Sequence, residues 1–277
     1  MKNLFKRLFT ALFVVSSLVG TAFADDINLW KKSTLNKILQ EGEMRVCMEP
    51  GYMPFEMKDK RGRIIGYDVD MAKRMAKEMG VKLKLLPTAW DGIIAALVTG
   101  KCDIIMSGMT ITQQRNLKIN FADPYVVVGQ TILMSKDLEG KIKTAKDIDK
   151  KEYTIVTKLG VTGEMATRKF FKNAKIITFE TESDAASEVL NGRADAFVYD
   201  QPYNILFMSD KGKGKLIHLD KPLTYEPLGW AIRKGDPDFL NWLNNFLRQV
   251  KEDKVVDFYN KLNQKWLKDT AWLKRVQ

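Results

Sequence analysis

The sequence predicts an α/β fold built as two lobes, and three observations carry that prediction. Between Met44 and Met106, short apolar strands alternate with amphipathic helices across short connections, the signature of a mostly parallel sheet with helices on its faces. After Tyr125 the alternation begins again, which calls for a second sheet. The chain then closes in a helical run from Asp236 that has no sheet of its own to cover, so it is expected to return to the first lobe. Two lobes joined by two crossing segments follow from these patterns.

Residues 1–24 stand apart from that fold. Lys2, Lys6 and Arg7 precede an apolar run from Leu8 to Val19, and Ala22-Phe23-Ala24 is a small-x-small cleavage signal. This pattern is a secretory signal peptide, too short to span a membrane comfortably. Lysines without a twin arginine point to the general secretion route. A periplasmic protein is expected, and no cysteine follows Ala24 to suggest a lipid anchor. The formal charge of +11 falls to +8 without the leader's three basic residues, and the lysines are scattered rather than blocked. A solvated basic surface is the reading, with no nucleic-acid motif. Cys47 and Cys102 could pair in an oxidising compartment. One sits late in a predicted strand and the other just before one, so the spacing leaves the pairing open. One histidine, His218, and two cysteines argue against a zinc site or a histidine-based triad, and no metal or cofactor is expected.

Taken in order, Ser33 to Gln40 forms a short helix and Met44 to Met48 the first strand, stopped by the prolines of Glu49-Pro50-Gly51-Tyr52-Met53-Pro54-Phe55. Ile64 to Tyr67 leads to Asp68 as a helix N-cap, followed by an apolar stripe of Val69, Met71, Ala72, Met75, Ala76 and Met79, closed by Gly80. Val81 to Leu86 is a strand, Asp91 caps a helix through Leu97, and Cys102 to Met106 is a strand apolar on both faces. In the second lobe Val126 to Met134 is one long extended segment, Tyr153 to Thr157 a strand, and Lys158 to Glu164 a loop entering a helix. Gly160 and Gly163 could bring N–H groups to an anion there. Strands Lys175 to Phe179 and Ala194 to Tyr199 flank a helix from Ser183 to Leu190. Asp200 could pair with an ammonium group, but capping the helix begun by Pro202 is the simpler local reading. Lys215 to Leu219 and Tyr225 to Ile232 are extended, a helix starts at Asp236-Pro237, and another runs from about Asp253 to Trp266.

The organising stretch is Ser107-Gly108-Met109-Thr110-Ile111-Thr112-Gln113-Gln114-Arg115. Small residues after a buried strand let a ligand approach the backbone, hydroxyls follow, and Arg115 offers a planar fork suited to a carboxylate. The alternative is that Thr112 caps a helix and Arg115 is solvated. In parallel sheets, ligands bind at the carboxyl ends of strands, and Glu49 to Tyr52, Trp90 and Ser107 to Arg115 all fall at such ends.

Several motifs then coincide: Tyr52-Met53-Pro54-Phe55-Glu56, Gly66-Tyr67-Asp68-Val69-Asp70, Ser107 to Arg115, Phe121-Ala122-Asp123-Pro124-Tyr125 and Gly192-Arg193-Ala194-Asp195-Ala196. Together, over Leu35 to Leu267, the chain resembles the periplasmic amino-acid-binding proteins of ABC transporters, the type with two crossover strands. The resemblance implies the two-lobed periplasmic-binding-protein fold: residues 25–124 plus 229–277 as one lobe, 130–223 as the other, and hinges at 125–129 and 224–228. It implies that Arg115 forks onto a ligand's α-carboxylate, with Ser107, Gly108 and the backbone and hydroxyl of Thr110 completing that end. Asp200 would take the α-ammonium, Thr162 would add a contact, and Tyr52 and Trp90 would sandwich the ligand. Glu49 matches a position often aspartate in members that bind cationic or amide side chains. The chain departs from relatives at Val161-Thr162-Gly163, where two threonines are common.

A zwitterion is costly to desolvate unless both ends are paired, so Arg115 and Asp200 on opposite lobes would link binding to hinge closure, the motion known for periplasmic binding proteins. The resemblance thus implies a monomeric, non-catalytic receptor that captures a free amino acid and delivers it to a membrane permease, with no nucleic-acid partner. Lysine or arginine comes first, then glutamine or neutral polar amino acids, and acidic ones last. The competing class is a dehydratase on the same fold acting on a small carboxylic acid, for which Glu49 or Glu164 would have to serve as general acid.

Overall fold

The computed structural model describes residues 32–276; the leader assigned to 1–24 lies outside the described residues. The chain enters through α1 (Thr34–Glu41), capped by the Ser33 hydroxyl, which accepts from the Asn36 N–H. It continues into β1 (Glu43–Met48), the small hairpin β2 (Met57–Lys58) and β3 (Ile64–Ile65), α2 (Tyr67–Met79), β4 (Lys82–Pro87), α3 (Trp90–Val98) and β5 (Ile104–Ile105). A four-residue helix α4 (Gln113–Asn116) and β6 (Asn120–Phe121) follow. β1 pairs in parallel with both β4 and β5, and the later β14 (Ala231–Ile232) inserts antiparallel between β5 and β6. The first sheet therefore reads β4-β1-β5-β14-β6.

The expected single segment from Val126 breaks at Gly129 into β7 (Val126–Val128) and β8 (Gln130–Ser135). Gly129 lies against Pro222 and the Thr224 carbonyl, where the chain crosses between sheets. The second lobe then runs β9 (Thr154–Lys158), α5 (Thr162–Phe170), β10 (Lys175–Phe179), α6 (Glu182–Leu190), β11 (Ala196–Asp200), α7 (Gln201–Ser209) and β12 (Leu216–Leu219). Its sheet order is β10-β9-β11-β8-β12, with β9, β10 and β11 parallel and β8 antiparallel to its neighbours. The extended run from Tyr225 is also interrupted: β13 (Glu226–Leu228) pairs antiparallel with β7, and Gly229-Trp230 separates it from β14. β7 and β13 form a two-stranded ribbon between the two five-stranded sheets.

The closing helices return to the first lobe. α8 (Pro237–Glu252) packs on α1, where Asp236 accepts from the Thr34 N–H at 2.6 Å and Asp238 from the Ser33 hydroxyl at 2.6 Å. The next helix does not begin at Asp253. The Asp253 carboxylate accepts from the Val255 and Val256 N–H groups, holding a turn, and α9 starts only at Phe258 (Phe258–Asn263). α9 lies on α2, with Tyr67 donating to Asn263 at 3.0 Å.

Two predicted caps are corrected. Asp68 does not cap α2: Gly66 precedes the helix at φ 144°, and a Cβ there would meet the Phe55 carbonyl at 2.2 Å, so no side chain fits. Asp68 sits inside the first turn, fully buried. Asp91 likewise lies within α3, which opens after Ala89. The cysteine question is decided by adjacency. β1 and β5 are neighbours, so Cys47 and Cys102 come within 5.7 Å Cα to Cα and form a disulfide closing 55 residues. Such a crosslink contributes about 2–4 kcal/mol.

Candidate functional site

The two lobes face one another across a narrow, closed cavity that leaves only about 20 Å³ to the centre of a water-sized sphere. All nine residues singled out from the sequence line it: Glu49, Tyr52, Trp90, Ser107, Gly108, Thr110, Arg115, Thr162 and Asp200. The first lobe supplies the ends of β1 and β5 and the start of α3, and the second supplies the end of β11 and the start of α5.

Of the alternative for Arg115, the cap holds and the solvated side chain does not. Thr112 does cap α4, accepting from the Arg115 N–H at 3.1 Å, but the guanidinium is turned inward and is only 8% exposed. Arg115 Nη1 donates to the Thr110 carbonyl at 2.8 Å, and the guanidinium lies 5.2 Å from the Trp90 ring centroid. Burial lowers its pKa to about 10, with Glu226 and Asp200 pulling the other way, so it stays charged at neutral pH.

The wall below Arg115 is already hydrogen-bonded within the first lobe. The Gly108 N–H, expected for a ligand, donates instead to Asp68 Oδ2 at 2.9 Å, which also accepts from the Tyr125 hydroxyl at 2.9 Å. Burial raises Asp68 to about 6 against those donors. Gly108 itself is required: at φ 49° a Cβ would lie 2.2 Å from Tyr52 Cε1. The Ser107 hydroxyl is committed too, donating to Glu56 at 2.6 Å and accepting from the Glu49 N–H at 3.0 Å. Burial and the nearby Asp68 charge push Glu56 well above the usual carboxylate range. Ser107 and Gly108 thus shape the floor with donors already engaged.

Asp200 overturns the capping expectation. It occupies the position before α7, yet makes no side-chain cap bond. Its carboxylate accepts from the Tyr52 hydroxyl across the cleft and from Gln130 Nε2 at 2.6 Å. Burial raises it to about 7, with Tyr52, Gln130 and Arg115 favouring the charged form and Glu226 opposing it. Thr162 faces Thr110 from the other lobe, Oγ1 to Oγ1 at 3.3 Å. The Gly160 N–H, offered as an anion donor, is taken by Glu164 at 2.8 Å, and the Gly160 carbonyl accepts from Trp90 Nε1 at 3.0 Å.

Sequence reasoning missed four lining residues, Glu56, Gln130, Val161 and Tyr199, and the pair Lys158 and Glu182 behind them. Lys158 is the last residue of β9 rather than a loop, 2% exposed, and donates to Glu49 and to Glu182 at 2.8 Å. A lysine ending the apolar run Thr154-Ile155-Val156-Thr157 was the available signal; Gln130, at the mouth of a strand, carried none. Two buried acceptors on the wall, Glu56 Oε2 and Gln130 Oε1, have no partner among the described residues. Leaving such a group unpaired costs about 1–3 kcal/mol, which a donor on a ligand would offset.

Comparisons place this geometry among known proteins. Residues 44–269 match the profile of the bacterial extracellular solute-binding proteins, family 3. A binding component of an ABC transporter from Wolinella succinogenes, solved in complex with lysine, is 61% identical, with a TM-score of 0.82 over 84% of this chain and 99% of that one. The L-cystine-binding protein of Escherichia coli is 29% identical over 92% of both chains. The cyclohexadienyl dehydratase of Pseudomonas aeruginosa is 30% identical over 92% of this chain and 93% of its own.

Proposed function

The chain belongs to the bacterial extracellular solute-binding proteins, family 3, and from that premise we propose that it captures a free amino acid with a basic side chain, lysine or arginine, between its two lobes. The observation that carries the reading is the opposition of Arg115 and Asp200 across one buried cavity. Arg115 pairs with the α-carboxylate and Asp200 with the α-ammonium, so a zwitterion is satisfied at both ends only with the lobes together. Tyr52, Trp90 and Glu49 receive the side chain; aromatic faces hold an aliphatic stem and attract a cation by about 0.5–2 kcal/mol. The lysine complex of the Wolinella succinogenes relative supports this order of ligands. Closure turns on the β7–β13 ribbon, and the closed form is what a membrane permease engages. Residues 1–24 act as the export leader, so the mature protein begins at Asp25.

Calorimetric titration of the mature chain with lysine, arginine, glutamine and glutamate tests the reading. Basic amino acids are expected to bind tightest, glutamine more weakly and glutamate weakest; a glutamate preference would overturn the assignment.

One observation favours a second reading. Glu56 lines the cavity with its pKa pushed well above the usual carboxylate range by burial, the direction a general acid needs, and a dehydratase shares the fold. Glu49 and Glu164 suit that task less, because Glu49 is paired with Lys158 and Glu164 with Arg168. Incubation with a cyclohexadienyl acid, followed by absorbance of the aromatic product, is expected to show no turnover.

A further inference from the structure

The side-chain end of the cavity holds an uneven charge count. Glu49 lines it from the first lobe, and behind Glu49 stands Lys158, whose ammonium also pairs with Glu182 in the first turn of α6. That ammonium lies 5.9 Å from the Trp90 ring centroid. Burial works against the lysine cation, but Glu182 and Glu49 outweigh it and hold its pKa above the ordinary value. Burial raises Glu49, Lys158 pulls it back, and the Glu182 charge pushes it up again. The Trp90 backbone N–H adds a further bond favouring the Glu49 charge. Two carboxylates and one ammonium leave this end one positive charge short of neutral.

We propose that Lys158 is a specificity-setting positioning residue that acts through Glu49. By compensating one of two facing carboxylates from behind the wall, it makes this end of the cavity complementary to a single positive charge on the ligand. Side chains of the lysine or arginine type are thereby received with their one positive charge matched and no proton displaced from the two glutamates. Lys158 also keeps the empty site stable, because the half-buried Glu49 and the buried Glu182, left without the cation between them, would have to share a proton. The inference rests on the amino-acid-capture reading above and deepens it.

The test compares lysine with norleucine, and arginine with citrulline, on the mature chain at pH 8, where Asp200 is ionised. Wild type is expected to favour each cation over its uncharged analogue about tenfold or more, an expectation scaled to one charge-assisted pair. In Lys158→Met, the Glu49 and Glu182 pair holds a proton that lysine, but not norleucine, displaces. Titrations in buffers of different ionisation heat then show lysine-specific proton release, together with a larger lysine-to-norleucine ratio. Lys158→Arg restores the wild-type pattern. Glu49→Gln gives an independent reading in a protein that keeps the Lys158 and Glu182 pair: its lysine-to-norleucine ratio falls to about one, as expected when the net charge is removed. An unchanged ratio in Glu49→Gln, or in Lys158→Met without proton release, overturns the Lys158 assignment while leaving amino-acid capture standing. A wild-type protein that binds no amino acid overturns the functional reading itself.

Discussion

The two lobes present the same kind of strand-end edge to the cavity but hold their polar groups differently. In the first lobe the floor is bound to itself: Ser107 to Glu56, Gly108 to Asp68, Arg115 to the Thr110 carbonyl, with the disulfide and the returning helices α8 and α9 behind. In the second lobe the corresponding groups reach across. Asp200 accepts from Tyr52, Lys158 donates to Glu49, and the Gly160 carbonyl accepts from Trp90, all first-lobe partners. One side is a preorganised floor, and the other divides its bonds between its own lobe and the facing one. A floor costs nothing to reorder when ligand arrives, whereas cross-lobe bonds form and break with the hinge.

The largest expected effect breaks the floor. Arg115→Ala should reduce lysine affinity at least about 100-fold, since a bidentate charge-assisted pair contributes about 3 kcal/mol or more. The fold should survive, because the side chain's one hydrogen bond among the described residues is to the Thr110 carbonyl. Calorimetry checks the affinity and circular dichroism the fold; near-wild-type binding would place the carboxylate elsewhere.

Removing the disulfide should separate stability from binding. A Cys47→Ser, Cys102→Ser double variant is expected to lose about 2–4 kcal/mol in urea unfolding. Its ligand affinity should change far less, since neither cysteine lines the cavity. A matched loss of affinity would mean that the floor is not rigid without the bridge.

Asp200→Asn sharpens the other side of the comparison through pH. In the wild type, burial places Asp200 at about 7, and a bound ammonium would lower that value, so binding expels a proton below pH 7. Affinity should therefore fall by up to about tenfold per pH unit below 7 and stay level above it, while the variant binds more weakly and without that slope. Folding carries the opposite sign. The raised pKa contributes stability that is full below the unfolded value and lost as pH rises through about 7. A wild-type affinity independent of pH between 5 and 8 would remove the ammonium from Asp200.

The smallest signal is in shape. Small-angle scattering should show a slightly smaller radius of gyration with lysine bound, because ligand fixes the cross-lobe contacts. An unchanged radius would mean that Tyr52, Trp90 and Lys158 already hold the lobes together without it.

Local chemistry determined much of this molecule. Apolar strands alternating with striped helices specify their elements through side-chain period alone, and motifs such as Ser107 to Arg115 mark a strand end wherever the sheet stands. Asp236 and Pro237 start α8 by chemistry confined to one turn. What the sequence left open depended on neighbours far along the chain. Asp68 and Asp200 look like caps because a short acidic side chain beside a helix start has a local use. Each is instead drawn to donors 40 to 148 residues away, Gly108 for one and Tyr52 for the other. Cys47 and Cys102 pair because β1 and β5 are adjacent, a fact of sheet order and not of spacing. Lys158 reads as a solvated loop residue until Glu49 and Glu182 close around it. Burial makes an unpaired charge so costly that its partners decide its role, and those partners are brought together only by the tertiary fold.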